Sequence, residues 1–402
     1  MEYDETKLTR LSSLKVLAEK INTDYATKAD VSAVQSNWNQ TEEEAIDFIK
    51  NKPDIIGVKG TGEGSSIFNN ISYNTATGVY AHSENNATKA EGNYSHAEGL
   101  GSTASGEGSH AEGGGGTNAS GRGAHAEGAG TQAKGIFSHA EGSGTTADGD
   151  YAHTEGTGTR AISACSHAEG KNTWAGRSGS NNGCAHAEGS DTHAEGDYSH
   201  AEGGGTKATG NYSHAEGSGT EASGNGAHAE GLGTIASGSG AHAEGGGSAR
   251  ASGSGAHAEG AGTKATGNQS HAEGAITEAY GQMSHAEGSG TVAVGSHSHA
   301  EGKGTIAPGQ SAHAEGEYNN VGTPTSDGRG EFLHIAGNGT SNDARSNAYT
   351  LDWGGNGWYA GTVEAAALIL RSSTPDSTKR FRITVDDSGA IAATEIVPET
   401  AA

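Results

Sequence analysis

The chain is poor in the residues that build an ordinary hydrophobic core. Hydrophobic residues make up 31% of its 402 positions and aromatics 5%, so it has little bulky apolar surface to bury. No stretch approaches the apolar run of about 20 residues that a membrane-spanning helix needs, and membrane insertion is not expected. The start, Met1-Glu2-Tyr3-Asp4, has neither the basic nor the apolar part of a secretory signal. Basic residues are also scarce, with 24 Lys and Arg against 49 Asp and Glu and a formal charge of -25. Without a basic patch or stripe, nucleic-acid binding is disfavoured. The 2 cysteines, Cys165 and Cys184, are expected to be free thiols in a chain without a secretion signal.

Glycine, by contrast, occupies 69 positions. In a chain without periodicity that would indicate low complexity or disorder, but here the glycines are spaced. His-Ala-Glu-Gly, or at 82 and 153 a variant of it, recurs with histidines at 82, 96, 110, 125, 139, 153, 167, 186, 193, 200, 214, 228, 242, 257, 271, 285, 299 and 313. Most steps are 14 residues, which is too short for a helix-pair repeat and lacks coiled-coil heptads. The steps before His125 and His257 carry one extra residue in a Gly-rich stretch and read as bulges. Two steps of 7, around His193, show that the unit is half the apparent one. His139 to Thr145 aligns with Thr146 to Ala152, keeping Ala second and Gly fourth, so each coil is two short strands and two tight turns.

Alternation fixes the faces. In Ser95-His96-Ala97-Glu98, Ser95 and Ala97 point one way and His96 and Glu98 the other. The small face, repeated in every half-coil, is the inside of a narrow roll, and Gly99 and Gly106 fall where the chain turns. The predicted body is all-β: a parallel β-roll of 14-residue coils over 81–317. Its coils stack about 4.8 Å apart, so about 16 of them make a rod on the order of 80 Å long. Before it, residues 54–80 read as a linker and 1–53 as a helical attachment segment, with helices near 5–25 and 42–50. Leu11, Leu14, Ala18, Ile21 and Tyr25 follow 3-4 spacing, and Thr41 and Glu44 have capping-box spacing with Pro53 beyond. Residues 318–402 form a different, β-rich cap. There Trp353, Trp358 and Tyr359 flank a Gly-Gly-Asn-Gly hairpin signal, and Phe381, Ile383 and Val385 lead into the turn Asp386-Asp387-Ser388-Gly389.

An interior of Ala, Ser and Thr buries little apolar area, so the roll needs burial from outside. On one strand of each coil the outward pair is nearly always His and Glu; on the other it drifts, as in Gln132/Lys134, Lys207/Thr209, Glu221/Ser223 and Val292/Val294. A constant face meets a constant environment, so the ladder His96, Glu98, His110, Glu112, His214, Glu216, His228, Glu230, His271 and Glu273 is expected to lie between copies of the chain. Many near-identical pairs do not make a catalytic site, and no enzyme is expected. A carboxylate beside each His raises its pKa and stacked like residues oppose that, which leaves the sign of the pH effect open. His297-Ser298-His299 puts two imidazoles on one face of a strand and is the candidate metal site. The longest interruption, 171–183, contains Trp174 and Arg177, a candidate receptor contact.

The Ser-x-Ala-x-Gly spacing resembles the left-handed parallel β-roll heads of trimeric autotransporter adhesins, in which the outward positions are aliphatic rather than His and Glu. The His-Ala-Glu-Gly version is similar to the shaft of phage and prophage tail proteins of Gram-positive hosts. Trp38-Asn39-Gln40-Thr41, Phe48 to Pro53, Ala336 to Thr340 and Arg345 to Trp353 resemble segments flanking such shafts. The resemblance implies a homotrimeric tail fibre bound to the phage baseplate through its N-terminus, with its tip on a host surface glycan or protein. Such a protein is made in the host cytoplasm, carried on the virion and extracellular after release. It implies no cofactor, apart from a transition metal held at the trimer axis by a pair such as His297 and His299. A bacterial trimeric surface adhesin is the alternative, and a polysaccharide-trimming tail spike a further one.

Overall fold

A computed structural model describes residues 58–68, 73–179, 183–362, 368–371 and 379–396. Both expected N-terminal helices lie outside these residues. The chain divides into two units, Met1–Glu155 and Gly156–Ala402, and the same coil recurs in each. In the first, strand His110–Gly114 is followed by a turn, the short strand Asn118–Ala119, a second turn, and strand His125–Ala129. His110 lies in register with His96 before it and His125 after it, while Asn118 lies between Thr103 and Gln132. In the second unit His200 pairs in the same way with His186 and His214, and Lys207 with His193 and Glu221. All these pairings are parallel, and the expected all-β roll of 14-residue coils is the observed fold.

The inside is one methyl group wide. Ala97, Ala111, Ala201 and Ala215 of the His strands are fully buried, as are Ala104, Ala119, Ala208 and Ala222 of the short strands. So small an interior gives little hydrophobic stabilisation per coil, and the backbone carries the stack instead. The His200 amide donates to the Ser213 carbonyl and the Lys207 amide to the Thr220 carbonyl, each at 2.9 Å. The buried serines satisfy themselves within a turn: the Ser109 hydroxyl donates to the Gly106 carbonyl at 2.8 Å and the Ser213 hydroxyl to that of Gly210 at 2.6 Å. The longer coils keep register by bending twice. Gly115 and Gly116 have φ of 69° and 86°, and Gly247 and Ser248 65° and 69°, where a regular coil has one such residue, such as Gly130.

The roll starts inside the stretch expected to be a linker, because Ser66 already pairs with His82 and Thr75 with Lys89. It also runs past Tyr318. Strand Phe332–Asn338 adds in parallel with His334 opposite His313, and Ile335 takes the interior place. Ile335 is fully buried, a plug where no further coil follows. Asn319 ends the other sheet: its side-chain oxygen accepts the Ile306 amide at 2.7 Å and its amide donates to the Ile306 carbonyl at 2.9 Å. Beyond the plug, strands Asn347–Asp352 and Gly357–Tyr359 add antiparallel, about the hairpin expected at 354–357. Strands Leu368–Arg371, Arg380–Val385 and Ile391–Ile396 form a separate antiparallel sheet, turning where the Gly389 amide donates to the Asp386 carbonyl at 2.9 Å.

Glycine as the fourth residue of the His-Ala-Glu-Gly strand is a steric requirement where coil meets coil. At Gly203, φ is 111° and a Cβ would be driven into the carbonyl oxygen of Gly217 in the next coil, whereas a Cβ on Gly204 meets nothing within 4 Å. Gly203→Ala is therefore expected to cost about 2–5 kcal/mol, from left-handed strain plus overpacking. Gly204→Ala should leave the thermal unfolding midpoint nearly unchanged. Equal midpoints for the two variants would contradict this account of the stack.

Candidate functional site: the histidine face and its corner

Within each unit, strand alternation puts the repeat His and Glu residues on one side of the roll, except for His193 and Glu195. In the first unit the rings of His96, His110, His125, His139 and His153 stack 4.7–5.0 Å apart and within 4° of parallel. In the second the column includes His186, His200, His214, His228 and His242 at 4.7–4.8 Å, and continues through His257, His271, His285, His299 and His313 to His334 at 4.7–4.9 Å. Stacking covers both faces of each ring and leaves its edge outward. The Nε2 atoms of His96, His110, His214, His228 and His271 are shielded from solvent, yet make no hydrogen bond. Their nearest carboxylates, on Glu98, Glu112, Glu216, Glu230 and Glu273, stand 4.0, 3.6, 3.9, 4.0 and 4.0 Å away, too far for a hydrogen bond. The contact is shorter at His82 and His242, 3.5 and 3.4 Å from Glu84 and Glu244, and shortest near the end, where Nε2 of His313 and of His334 are each 3.2 Å from a carboxylate of the preceding coil, on Glu301 and Glu315. Within each unit the expected ladder residues therefore share one face, in two columns.

Burial, and then the neighbouring imidazoles, hold His96 and His110 below the usual pKa, and His139, His200, His214 and His285 follow the same pattern. The carboxylate column does the opposite at its start. A hydrogen bond with Glu84, together with burial, pushes Glu98 up to about 7, and Glu84 is lowered by the same bond.

Several expected site residues move. His193, with Glu195, stands in the other sheet, opposite Trp174 and Lys207, because a step of 7 is half a coil; His334 joins the ladder instead. His297 and His299 are not on one strand face. His299 is in the ladder, but His297 is exposed in the preceding turn at φ 61°, which breaks the alternation the metal reading needed. The ladder itself brings His110, Glu112 and His125 together, with ligand atoms within 4.8 Å of one another. A metal about 2.1 Å from two nitrogens needs them within about 4.2 Å, so these parallel rings must tilt to share an ion. Trp174 is not in a protruding loop: it begins the strand Trp174–Ala175 on the variable face, its ring 5.0 Å from His193. Arg177 follows in the turn and pairs with Asp197 at 3.8 Å. Neither Cys165 nor Cys184 forms a disulfide, and both are exposed.

The residue two before each ladder His forms a column that the repeat pattern concealed. In most coils it sits at a corner with positive φ, and it is Gly at 108, 123, 226, 240 and 255, Tyr or Phe at 80, 94, 137, 151, 198 and 212, and Cys, Gln, Met, His and Ser at 165, 269, 283, 297 and 311. The signal was present in the sequence as Tyr-Ser-His beside Gly-Ser-His. Compared with known protein families and with curated proteins, the chain matches none.

The lowered histidines fix the sign of the acid response. The unfolded chain takes up protons as pH falls through 6.5 and these folded histidines resist, so their stabilisation is present above 6.5 and lost below it. Glu98 works the other way, its contribution full below 4.5 and lost as pH rises through about 7. With six histidines against one glutamate, the unfolding midpoint should fall from pH 7 to pH 5. A midpoint that rises over that interval would contradict the assignment.

Proposed function

We propose that this chain is the shaft and tip of a homotrimeric phage or prophage tail fibre that attaches the particle to its host. The observation that carries the reading is the column of shielded, unbonded Nε2 atoms on the one face that does not vary. A buried polar group without a partner costs about 1–3 kcal/mol, and here the group recurs coil after coil. The His and Glu side chains are themselves partly exposed, so on association they can turn toward other copies of the same face, whose carboxylates supply the partners that one chain does not. The variable face behaves as a water-facing surface, with exposed ion pairs between coils such as Lys134–Asp148 at 3.1 Å and Lys264–Glu278 at 2.7 Å. The number three, the phage setting and the attachment of residues 1–53 to a baseplate rest on the resemblance to tail-fibre shafts. Three copies on one axis present each surface site three times, so individually weak contacts add through avidity.

Replacing Glu216 and Glu230 together by Lys should dissociate the assembly, because it sets cations beside the histidine column; the same change at Glu221, with Lys207→Glu, should not. Sedimentation velocity reads the difference, and equal tolerance of both double variants contradicts the interface. For the function, purified protein should cosediment with particular strains of a Gram-positive panel and block phage adsorption to those strains. Protein that binds none of them contradicts the attachment role.

A further inference from the structure

The first coil of the ladder differs from those that follow. Ser66 pairs with His82, so it occupies, one coil earlier, the place in the column that a histidine takes later. A hydroxyl cannot stack on an imidazole, and the ring of Phe68 meets His82 instead, 5.0 Å away and tilted by 54°. Released from one side of the stack, His82 lies at 63° to His96, whereas His96 and His110 lie within 3° of parallel. Parallel rings hold their Nε2 atoms a coil step apart, which is why the groups further along must tilt before they share an ion. At His82 and His96 the tilt is already present.

Four ligand groups meet at this coil. Nε2 of His82 is 3.5 Å from a carboxylate oxygen of Glu84, and Nε2 of His96 is 4.0 Å from one of Glu98. The ligand atoms of His82, Glu84 and His96 lie within 4.8 Å of one another, and Glu84 is hydrogen-bonded to Glu98. Zinc holds four such ligands in a tetrahedron with bonds of about 2.0–2.2 Å, and therefore edges of about 3.3–3.6 Å. One edge has that length already. The others close by side-chain rotation, for which the four side chains, 28–37% exposed, are free. A hydrogen bond between two carboxyls needs a proton on one of them, whereas a divalent cation holds the same pair without it.

The imidazoles are prepared for the same role. Burial and the neighbouring rings keep His96 below its usual pKa, which favours the neutral form that a metal needs, and its Nε2 is shielded without a hydrogen bond. The ring of His82 is held from behind by the Ser66 hydroxyl, 2.8 Å from Nδ1. The tautomer that donates Nδ1–H to this oxygen leaves the Nε2 lone pair for an ion. Histidines that bind metals are oriented by such a partner on the other nitrogen.

We propose that His82, Glu84, His96 and Glu98 form a zinc site that staples the entry coil to the shaft, with Ser66 as its positioning residue. One chain supplies all four ligands, so the site does not depend on assembly or on attachment. The probe is the full-length protein without a histidine tag, freed of metal by chelation and titrated with Co²⁺ and then Zn²⁺. Co²⁺ should give the visible absorption of a tetrahedral site, Zn²⁺ should displace it, and calorimetry should count one tight zinc per chain. Bound zinc should raise the unfolding midpoint. Ser66→Ala should weaken zinc binding about 10–100-fold, as loss of an orienting partner does, and shift the Co²⁺ band; His82→Gln and Glu84→Gln should each weaken binding further. His271→Gln, in the parallel part of the column, should leave it unchanged. No tight zinc, or no tetrahedral Co²⁺ spectrum, in the unaltered chain overturns the site. So does zinc binding that survives His82→Gln and Glu84→Gln, or that falls equally with His271→Gln.

Discussion

The structure depends on the approach of each coil to the next. Parallel strands about 4.8 Å apart, wound around an interior one methyl group wide, leave no room for a Cβ where Gly203 meets Gly217 and none for a bulky side chain inside. From that constraint come the glycine spacing, the Ala, Ser and Thr interior, and the dependence on backbone hydrogen bonds between coils. It also explains why identical residues pile into columns: a coil that must match its neighbour atom for atom places His on His and Glu on Glu.

Columns make outward positions unusual sites. A single exposed His is unremarkable, whereas a stack of them hides ring faces, depresses protonation and aligns unbonded nitrogens along one edge. The carboxylates beside them cannot satisfy those nitrogens from two residues away, because strand geometry holds the pair mostly 3.4–4.0 Å apart. The same stacking converts scattered corner tyrosines into paired platforms.

Much of this was legible in the sequence, because a period-two strand inside a 14-residue period leaves few choices. The inside and outside of each strand, the half-coil and the C-terminal hairpins could be read directly. So could the place of His193 in the other sheet, because a step of 7 is half a coil. Two things could not. His297 and His299 alternate like strand residues, yet His297 occupies a left-handed turn that sequence spacing does not reveal. His334 continues the ladder after the long 319–331 connection, with Ile335 and Ala336 where Ala and Glu usually stand, so the motif was disguised where the plug required a larger residue. The corner aromatics were overlooked for a physical reason: Tyr is not expected at positive φ, and only the coordinates show the cost being borne repeatedly.

The account turns on whether the histidine face is covered by other copies of the chain. Light scattering on the full-length protein at neutral pH tests this most directly, against a chain mass of 40.1 kDa. A particle of three times that mass is the predicted result, with the unbonded nitrogens enclosed. A monodisperse single-chain mass would show that the roll stands alone with its constant face in water, and would contradict the interface from which the proposed fibre is built.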